Sequence, residues 1–179
     1  MPRSRAVRAA AVASAILIAL IVWYLGSPLF VRTSANEAIP SAAASTPAAP
    51  SATTPPLGAT PATKTDAGPT VLARGELQFV DSLHNGKGPV MLLGIGDQRL
   101  MRFENVAITN APDVHVYLSR ETGGKWTEAT SLYLGPLKAT NGSFNYDIPA
   151  GTDLAPYKSV IVWCRAFAVL VTWADLKAA

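Results

Sequence analysis

The run Tyr157-Lys158-Ser159-Val160-Ile161-Val162-Trp163-Cys164 decides the fold. It is rich in β-branched and aromatic residues, which favour a pleated strand of ordinary length. Side chains alternate along a strand, so that Trp163 lies on one face with Ile161, and Cys164 lies on the other face with Val162. Because both faces are largely apolar, the run predicts a strand that is covered on both sides, near the middle of a core.

Alternation of polar and apolar residues continues on both sides of this strand. The run 113–118 alternates without interruption, which places Asp113, His115 and Tyr117 on one face. Further strands are predicted at 143–148, after a hairpin turn at Asn141-Gly142, and at 167–173. Short strands separated by turn signals, with no convincing soluble helix, indicate an all-β domain, built as an antiparallel β-sandwich or a barrel.

The chain divides into a basic N-terminus at 1–8, an apolar helix at 9–31, a linker at 32–69 and a β domain at 70–179. Ala9 to Leu25 carries no charge and is long enough to form most of a helix that spans a bilayer. Three arginines precede it and one follows. This bias predicts a single-pass signal-anchor in the cell membrane, with the N-terminus in the cytoplasm and the β domain outside.

Two features of this region bear on how the domain is held. A cleaved signal peptide is the alternative to an anchor, and Thr33-Ser34-Ala35 is the nearest pattern for its cleavage. The linker consists largely of Ala, Pro, Ser and Thr, a composition that predicts disorder or polyproline-like structure. At about 3.1 Å per residue, such a tether reaches up to roughly 100 Å from the membrane.

Charge and motifs exclude several classes of function. The net charge is +3, but from residue 70 onward ten Lys and Arg balance ten Asp and Glu, so the domain lacks the excess of basic residues that nucleic acid binding needs. No phosphate-binding glycine loop, CxxC, HExxH or GxSxG motif is present, which disfavours a hydrolytic enzyme. With one cysteine, the chain forms no internal disulfide.

Few residues of the domain are suited to chemistry. Cys164 is a buried core residue, a soft ligand for a metal or haem iron, or a redox thiol. His115 is either part of a polar strand face or a ligand that the carboxylate of Asp113 orients. His84 lies in a predicted loop, as a surface residue or as a ligand. Trp163 serves either in packing or in the relay of electrons.

Four blocks of sequence in a fixed order resemble a known family. They are Ala111-Pro112-Asp113-Val114-His115-Val116-Tyr117-Leu118-Ser119, then Leu134-Gly135-Pro136-Leu137-Lys138, then Tyr146-Asp147-Ile148-Pro149, and finally the run 157–164 followed by Phe167. Together they resemble the DM-thirteen domain family, also called the electron-transfer DM domain, over about Ala73 to Leu176.

This resemblance implies a β-sandwich-like extracytoplasmic module with a characteristic cysteine, here Cys164. In the family that cysteine is proposed to act as a redox thiol or to hold a prosthetic group such as haem. Members with several domains combine the module with DOMON and cytochrome-b-type domains, which is why electron transfer is suggested. We therefore expect electron transfer through Cys164, with a separate redox protein as partner. The alternative is a non-catalytic binding module of the cell envelope in which Cys164 is structural.

Overall fold

The computed structural model describes residues 3–30, 32–40 and 68–179. Helix α1 spans Arg3–Phe30, and a short 3-10 helix spans Glu128–Thr130. The strands of the described residues are β1 Ser34–Asn36, β2 Thr70–Glu76, β3 Gly86–Lys87, β4 Pro89–Ile95, β5 Gln98–Ile108, β6 Val114–Ser119, β7 Ser131–Pro136, β8 Asn141–Ile148, β9 Ser159–Cys164, β10 Val169–Asp175 and β11 Lys177–Ala178.

Helix α1 has the length and composition of a membrane span. Its segment Val7–Tyr24 has a mean hydropathy of 2.1, and Arg8 is the one charged residue in that segment. An 18-residue apolar helix is close to the length that crosses the hydrocarbon core of a bilayer. The structure therefore contains a helix that is apolar enough to cross a membrane, where the sequence predicts the anchor.

The β domain consists of two sheets. The first has the strand order β1-β8-β5-β4-β2-β11, with β3 paired to β5, and the second has the order β10-β9-β6-β7. All of these pairs are antiparallel except β1 with β8. One cluster of buried side chains contains residues of both sheets, including Phe103 and Phe144 of the first and Val160 and Val162 of the second. The predicted all-β sandwich is confirmed.

Strand β9 occupies the position that its sequence predicts. It lies between β6 and β10, and Val160, Ile161 and Val162 are fully buried. Neighbouring side chains of a strand point to opposite faces, so burial of all three shows that both faces of β9 are covered. Since β9 pairs on both sides and is covered on both faces, it is the central element of the second sheet.

The predicted hairpin turn at Asn141-Gly142 is wrong. Both residues lie inside β8, and the chain crosses from the second sheet to the first between β7 and β8. Gly142 has a φ of 101°, and the pairing of β5 with β8 shifts register beside it, between Phe103 and Val106. An Asn-Gly pair suits an irregularity in a strand for the same reason that it suits a turn, since glycine tolerates positive φ.

Residues 33–38, which the sequence assigns to the linker, instead lie along the edge of the first sheet. We call them the edge segment. Within it, β1 pairs in parallel with the start of β8, and the Glu37 N–H donates to the Ser143 carbonyl at 2.8 Å. At its other end, the Thr33 carbonyl accepts hydrogen bonds from the N–H groups of Thr140 and Asn141. Main-chain bonds need no apolar side chains, so a search for periodic apolar residues misses this strand.

Glu37 holds the edge segment through its side chain and its carbonyl. One carboxylate oxygen accepts from the Asn145 N–H at 2.9 Å, and the other accepts from the Lys138 ammonium at 3.0 Å. The Glu37 carbonyl accepts a bond from the guanidinium of Arg102, which is 5% exposed and also contacts Glu104. The edge segment thus supplies a partner for a buried charge. Residues 41–67 of the predicted linker lie outside the described residues.

We predict that acid weakens the docking of the edge segment. Burial alone would raise the pKa of the Glu37 carboxyl, but the Asn145 N–H and the Lys138 ammonium outweigh it and hold this pKa below its ordinary value of 4.5. A lowered folded pKa contributes stability at higher pH that is lost as the pH falls through it. The NMR shift of the Glu37 amide should therefore report undocking below pH 4.5. Glu37→Gln should show no such step, and an equal step in this variant would contradict the assignment.

Candidate functional site

The two faces of the second sheet separate the predicted site residues. Cys164 lies opposite Val114 across the β6–β9 pair and belongs to the buried cluster between the sheets. His115, which follows Val114, lies opposite Trp163, which precedes Cys164, so both of these side chains are on the other face of the sheet. The strand register agrees with the prediction from the sequence that Cys164 and Trp163 lie on opposite faces of β9. Cys164 is therefore not in one site with His115 and Trp163.

Cys164 is sealed in the core. It is fully buried, and its thiol donates a hydrogen bond to the Pro112 carbonyl at 2.8 Å. Val114 and Val169 are its partners across the two neighbouring strands. Four clefts of the described residues have volumes between 290 and 500 Å³, and Cys164 lines none of these four. A thiol in these surroundings packs as a small apolar side chain.

The residues of the structure do not fit a haem or a metal bound through Cys164. A ligating sulfur is a thiolate that faces the metal, whereas this sulfur donates its hydrogen to a carbonyl inside the packed core. Across residues 3–30, 32–40 and 68–179, no group of three or more His, Cys, Asp or Glu is placed to hold a metal ion.

His115 and Asp113 are brought together as the sequence predicts, and a third residue joins them. The Asp113 carboxylate is 2.6 Å from His115 Nε2, and the Tyr133 hydroxyl of β7 is 2.9 Å from His115 Nδ1. His115 is 8% exposed, so the ring is largely withdrawn from solvent. Asp113 itself lies in the turn before β6, with a φ of 57°, rather than on the strand.

Four aromatic rings follow one another across this outer face of the second sheet. The ring centroids are 5.3 Å apart from Tyr133 to Tyr117, 4.6 Å from Tyr117 to Trp126 and 5.0 Å from Trp126 to Trp163. We call this series the aromatic row. Tyr117 is 2% exposed and Tyr133 is 44% exposed, so the row runs from a solvent-facing ring through a buried one.

Arg165 covers the two tyrosines of the aromatic row. Its Nε donates to the Tyr117 hydroxyl at 2.7 Å, and its guanidinium carbon is 4.8 Å from the ring centre of Tyr133 and 5.6 Å from that of Tyr117. These are distances of cation–π contacts. Burial raises the pKa of the Tyr117 phenol, and Arg165, which lowers it, offsets only part of this effect.

The part of the row from Tyr117 to Trp163 lines a shallow cleft of about 460 Å³. Its lining consists of Tyr117, Trp126, Thr127, Glu128, Trp163 and Arg165. Aromatic faces and one guanidinium dominate this lining. Such a surface suits contact with a flat or aromatic group of a partner.

His84 belongs to neither group. It lies in the loop between β2 and β3, and its Nδ1 is 2.9 Å from the Asp81 carboxylate of the same loop. The hydrogen bond from His84 is the main reason that the pKa of Asp81 is lowered. The contacts of His84 are thus local to its loop.

Sequence reasoning missed Tyr133, Trp126 and the role of Arg165. Tyr133 reaches His115 across strands whose register shifts between Val116 and Tyr117, and Trp126 comes from the loop after β6. Alternation within Leu132-Tyr133-Leu134 is a signal that could have placed Tyr133 on a face, but it does not say which strand lies alongside.

One comparison with known proteins identifies a family. A family model described as electron transfer DM13 matches residues 78–176, more than half of the chain, and these residues include β3 to β10 and every residue of the aromatic row. Neither the curated proteins nor the solved structures include a match to the chain. The chain therefore belongs to the electron transfer DM13 family.

Proposed function

We propose that this protein is a membrane-anchored module that takes part in electron transfer outside the cytoplasm. Membership of the electron transfer DM13 family supports the activity, and the apolar helix Val7–Tyr24 supports the anchor. Arginines before the helix favour a cytoplasmic N-terminus, which leaves the β domain of residues 70–179 on the other side. A redox protein of the same membrane or of the envelope is then the partner that supplies or takes the electrons.

The aromatic row is the observation that carries this proposal. Tyrosine and tryptophan are the side chains most readily oxidised by one electron, apart from sulfur groups. Successive ring centres of the row are separated by 4.6–5.3 Å, so that each ring is in or near contact with the next. One end is exposed and the other opens into the cleft, which gives an electron two points of exchange with partners.

A photo-oxidation experiment tests the row in the full-length protein. We would attach a ruthenium tris-bipyridine maleimide to Ala129→Cys, an exposed position next to Glu128 of the cleft, in a Cys164→Ala background. A laser flash with a quencher then generates Ru(III). We expect rapid re-reduction of Ru(III) through Trp126 and Trp163, with slower re-reduction when both are replaced by Phe.

The control carries the same label at Asp97→Cys, in the exposed turn between β4 and β5 of the first sheet. Re-reduction there should be slow and should not change with the Trp substitutions. Equal rates for the two labels, with or without the tryptophans, would remove the proposal.

The expectation that Cys164 carries the electrons stays a prediction, and its burial favours a structural role. We predict that Cys164→Ala folds, loses about 1 kcal/mol of unfolding free energy, as removal of one buried heavy atom does, and keeps the re-reduction rate of the label at position 129. Thiol labelling of the unsubstituted chain should proceed after unfolding and be very slow before it. A folded Cys164→Ala protein that no longer transfers electrons would instead assign the transfer to the thiol.

One observation favours a second function, a non-catalytic binding module of the cell envelope. The cleft beside Trp126 and Trp163 exposes aromatic faces with Arg165 at its rim, and such surfaces are common at binding sites. On this alternative, replacing both tryptophans would abolish binding of the partner, and the function of the domain would not require electron transfer.

A further inference from the structure

The hydrogen bonds from Asp113 through His115 to Tyr133 run in one direction when the imidazole is neutral. A carboxylate only accepts, so the Nε2 atom of His115, at 2.6 Å from Asp113, carries the hydrogen. In a neutral imidazole the other nitrogen is then an acceptor. The Tyr133 hydroxyl, at 2.9 Å from Nδ1, therefore donates its hydrogen to the ring.

The two tyrosines of the aromatic row differ in this respect. The Tyr117 hydroxyl accepts a hydrogen bond from Arg165 and contacts a cation rather than a base. A phenol that loses an electron becomes a strong acid, and the guanidinium next to both rings opposes a positive charge on them. Oxidation is thus favoured where the proton can leave at the same time, and the imidazole of His115 offers that route at Tyr133.

From this geometry we propose that Tyr133 is the residue of the aromatic row that is left oxidised after electron transfer. His115 accepts its proton, and Asp113 positions His115. The inference rests on the proposed function and deepens it, because it names the site within the row.

One electron leaves Tyr133 and passes through Tyr117 and Trp126 to a one-electron oxidant at the cleft, such as an oxidised metal centre of a partner protein. The O–H bond of Tyr133 breaks and an N–H bond forms at His115 Nδ1. The products are a neutral phenoxyl radical, an imidazolium paired with the Asp113 carboxylate, and the reduced oxidant. An electron from a reduced partner, at the exposed ring of Tyr133, reverses the proton transfer.

The backbone around Asp113 is consistent with a positioning role. Its φ of 57° is uncommon for a residue other than glycine, and the Asp113 carbonyl accepts a bond from the Arg165 N–H at 3.0 Å. Strained backbone of this kind is retained where the surroundings hold it, often at functional sites. Here it brings a carboxylate and a guanidinium residue to the same end of the row.

The test uses the full-length chain with the ruthenium label at position 129, followed by transient absorption and electron paramagnetic resonance. After the flash we expect a neutral tyrosyl radical, formed with a solvent H/D isotope effect. Tyr133→Phe should abolish this signal. His115→Gln should slow tyrosyl formation by roughly 100-fold, the effect of losing a positioned proton acceptor.

Two further variants keep the test decisive. His115→Ala opens space at a buried ring, so added imidazole should restore tyrosyl formation, which a purely structural role of His115 would not allow. Asp113→Asn should slow the reaction less and leave the fold intact. Tyr157→Phe, a partly buried tyrosine outside the row, serves as the matched control and should change nothing.

The outcomes separate this inference from the proposed function. Ru(III) re-reduction through the tryptophans with no tyrosyl radical, or with a tyrosyl radical unaffected by His115→Gln, would overturn the role of Tyr133 and His115 while the row remains an electron route. Slow re-reduction from position 129, equal to that from position 97, would overturn the proposed function itself.

Discussion

Phe103→Ala is expected to remove about 3–5 kcal/mol of unfolding free energy, the usual cost of truncating a buried aromatic ring. Phe103 is fully buried, stacks on Phe144 with ring centroids 5.1 Å apart, and meets the edge of Tyr146 at 5.8 Å. Total stabilities of domains are typically about 5–15 kcal/mol. The loss is therefore a large share of what holds the two sheets together.

Urea unfolding of the full-length chain in detergent micelles measures this loss. Tryptophan fluorescence, to which Trp163 of β9 and Trp126 packed against it contribute, reports whether damage in the first sheet unfolds both sheets together. Phe167→Ala is the matched control, because Phe167 is 53% exposed and its truncation should change stability by no more than about 0.5 kcal/mol. Similar unfolding midpoints for the two variants would contradict the assignment of Phe103 to the core.

Gly142→Ala is expected to detach the edge segment from the sheet. Gly142 has a φ of 101°, which alone costs of the order of 1–3 kcal/mol in a residue with a side chain. A Cβ at this position would also overlap the backbone carbonyl oxygen of Ala35 in β1. The overlap is with main chain, which no change of rotamer relieves, so β1 must move away.

Hydrogen exchange of the Glu37 amide detects this movement, because that N–H is bonded to the Ser143 carbonyl when the segment is docked. Exchange should approach the rate of an unprotected amide in Gly142→Ala, while amides of β9 keep their protection. Gly151→Ala is the control, since Gly151 also has positive φ, at 78°, but no atom lies within 4 Å of its Cβ position. A protected Glu37 amide in Gly142→Ala would show that β1 does not depend on this contact.

The sequence predicts well those elements whose place in the fold follows from their own residues. Strand β9 has apolar side chains on both faces, so its place inside a sheet follows from its own residues. The contact of Asp113 with His115 also follows from nearness along the chain. The resemblance of the sequence blocks led to the correct family, since it rests on residues spread over most of the β domain.

The features that the sequence does not predict depend on contacts between residues that are distant in the sequence. Asn141-Gly142 has the same local preference in a turn and in an irregular strand, and the choice is made by the pairing of β8 with β5. The contact between His115 and Tyr133 depends on a register shift between β6 and β7. The edge segment is polar and is held by main-chain bonds and by Glu37, which leaves no pattern of apolar residues to detect.

Because the edge segment is docked, only a short length of chain connects α1 to the β domain. Strand β1 begins at Ser34, four residues beyond Phe30 at the end of α1, and four extended residues span at most roughly 14 Å. Under the proposed topology, the edge of the first sheet is therefore confined to a thin layer above the lipid headgroups. A partner embedded in the same bilayer meets the domain by lateral diffusion, at a high effective concentration, while a protein free in the surrounding fluid gains no such advantage.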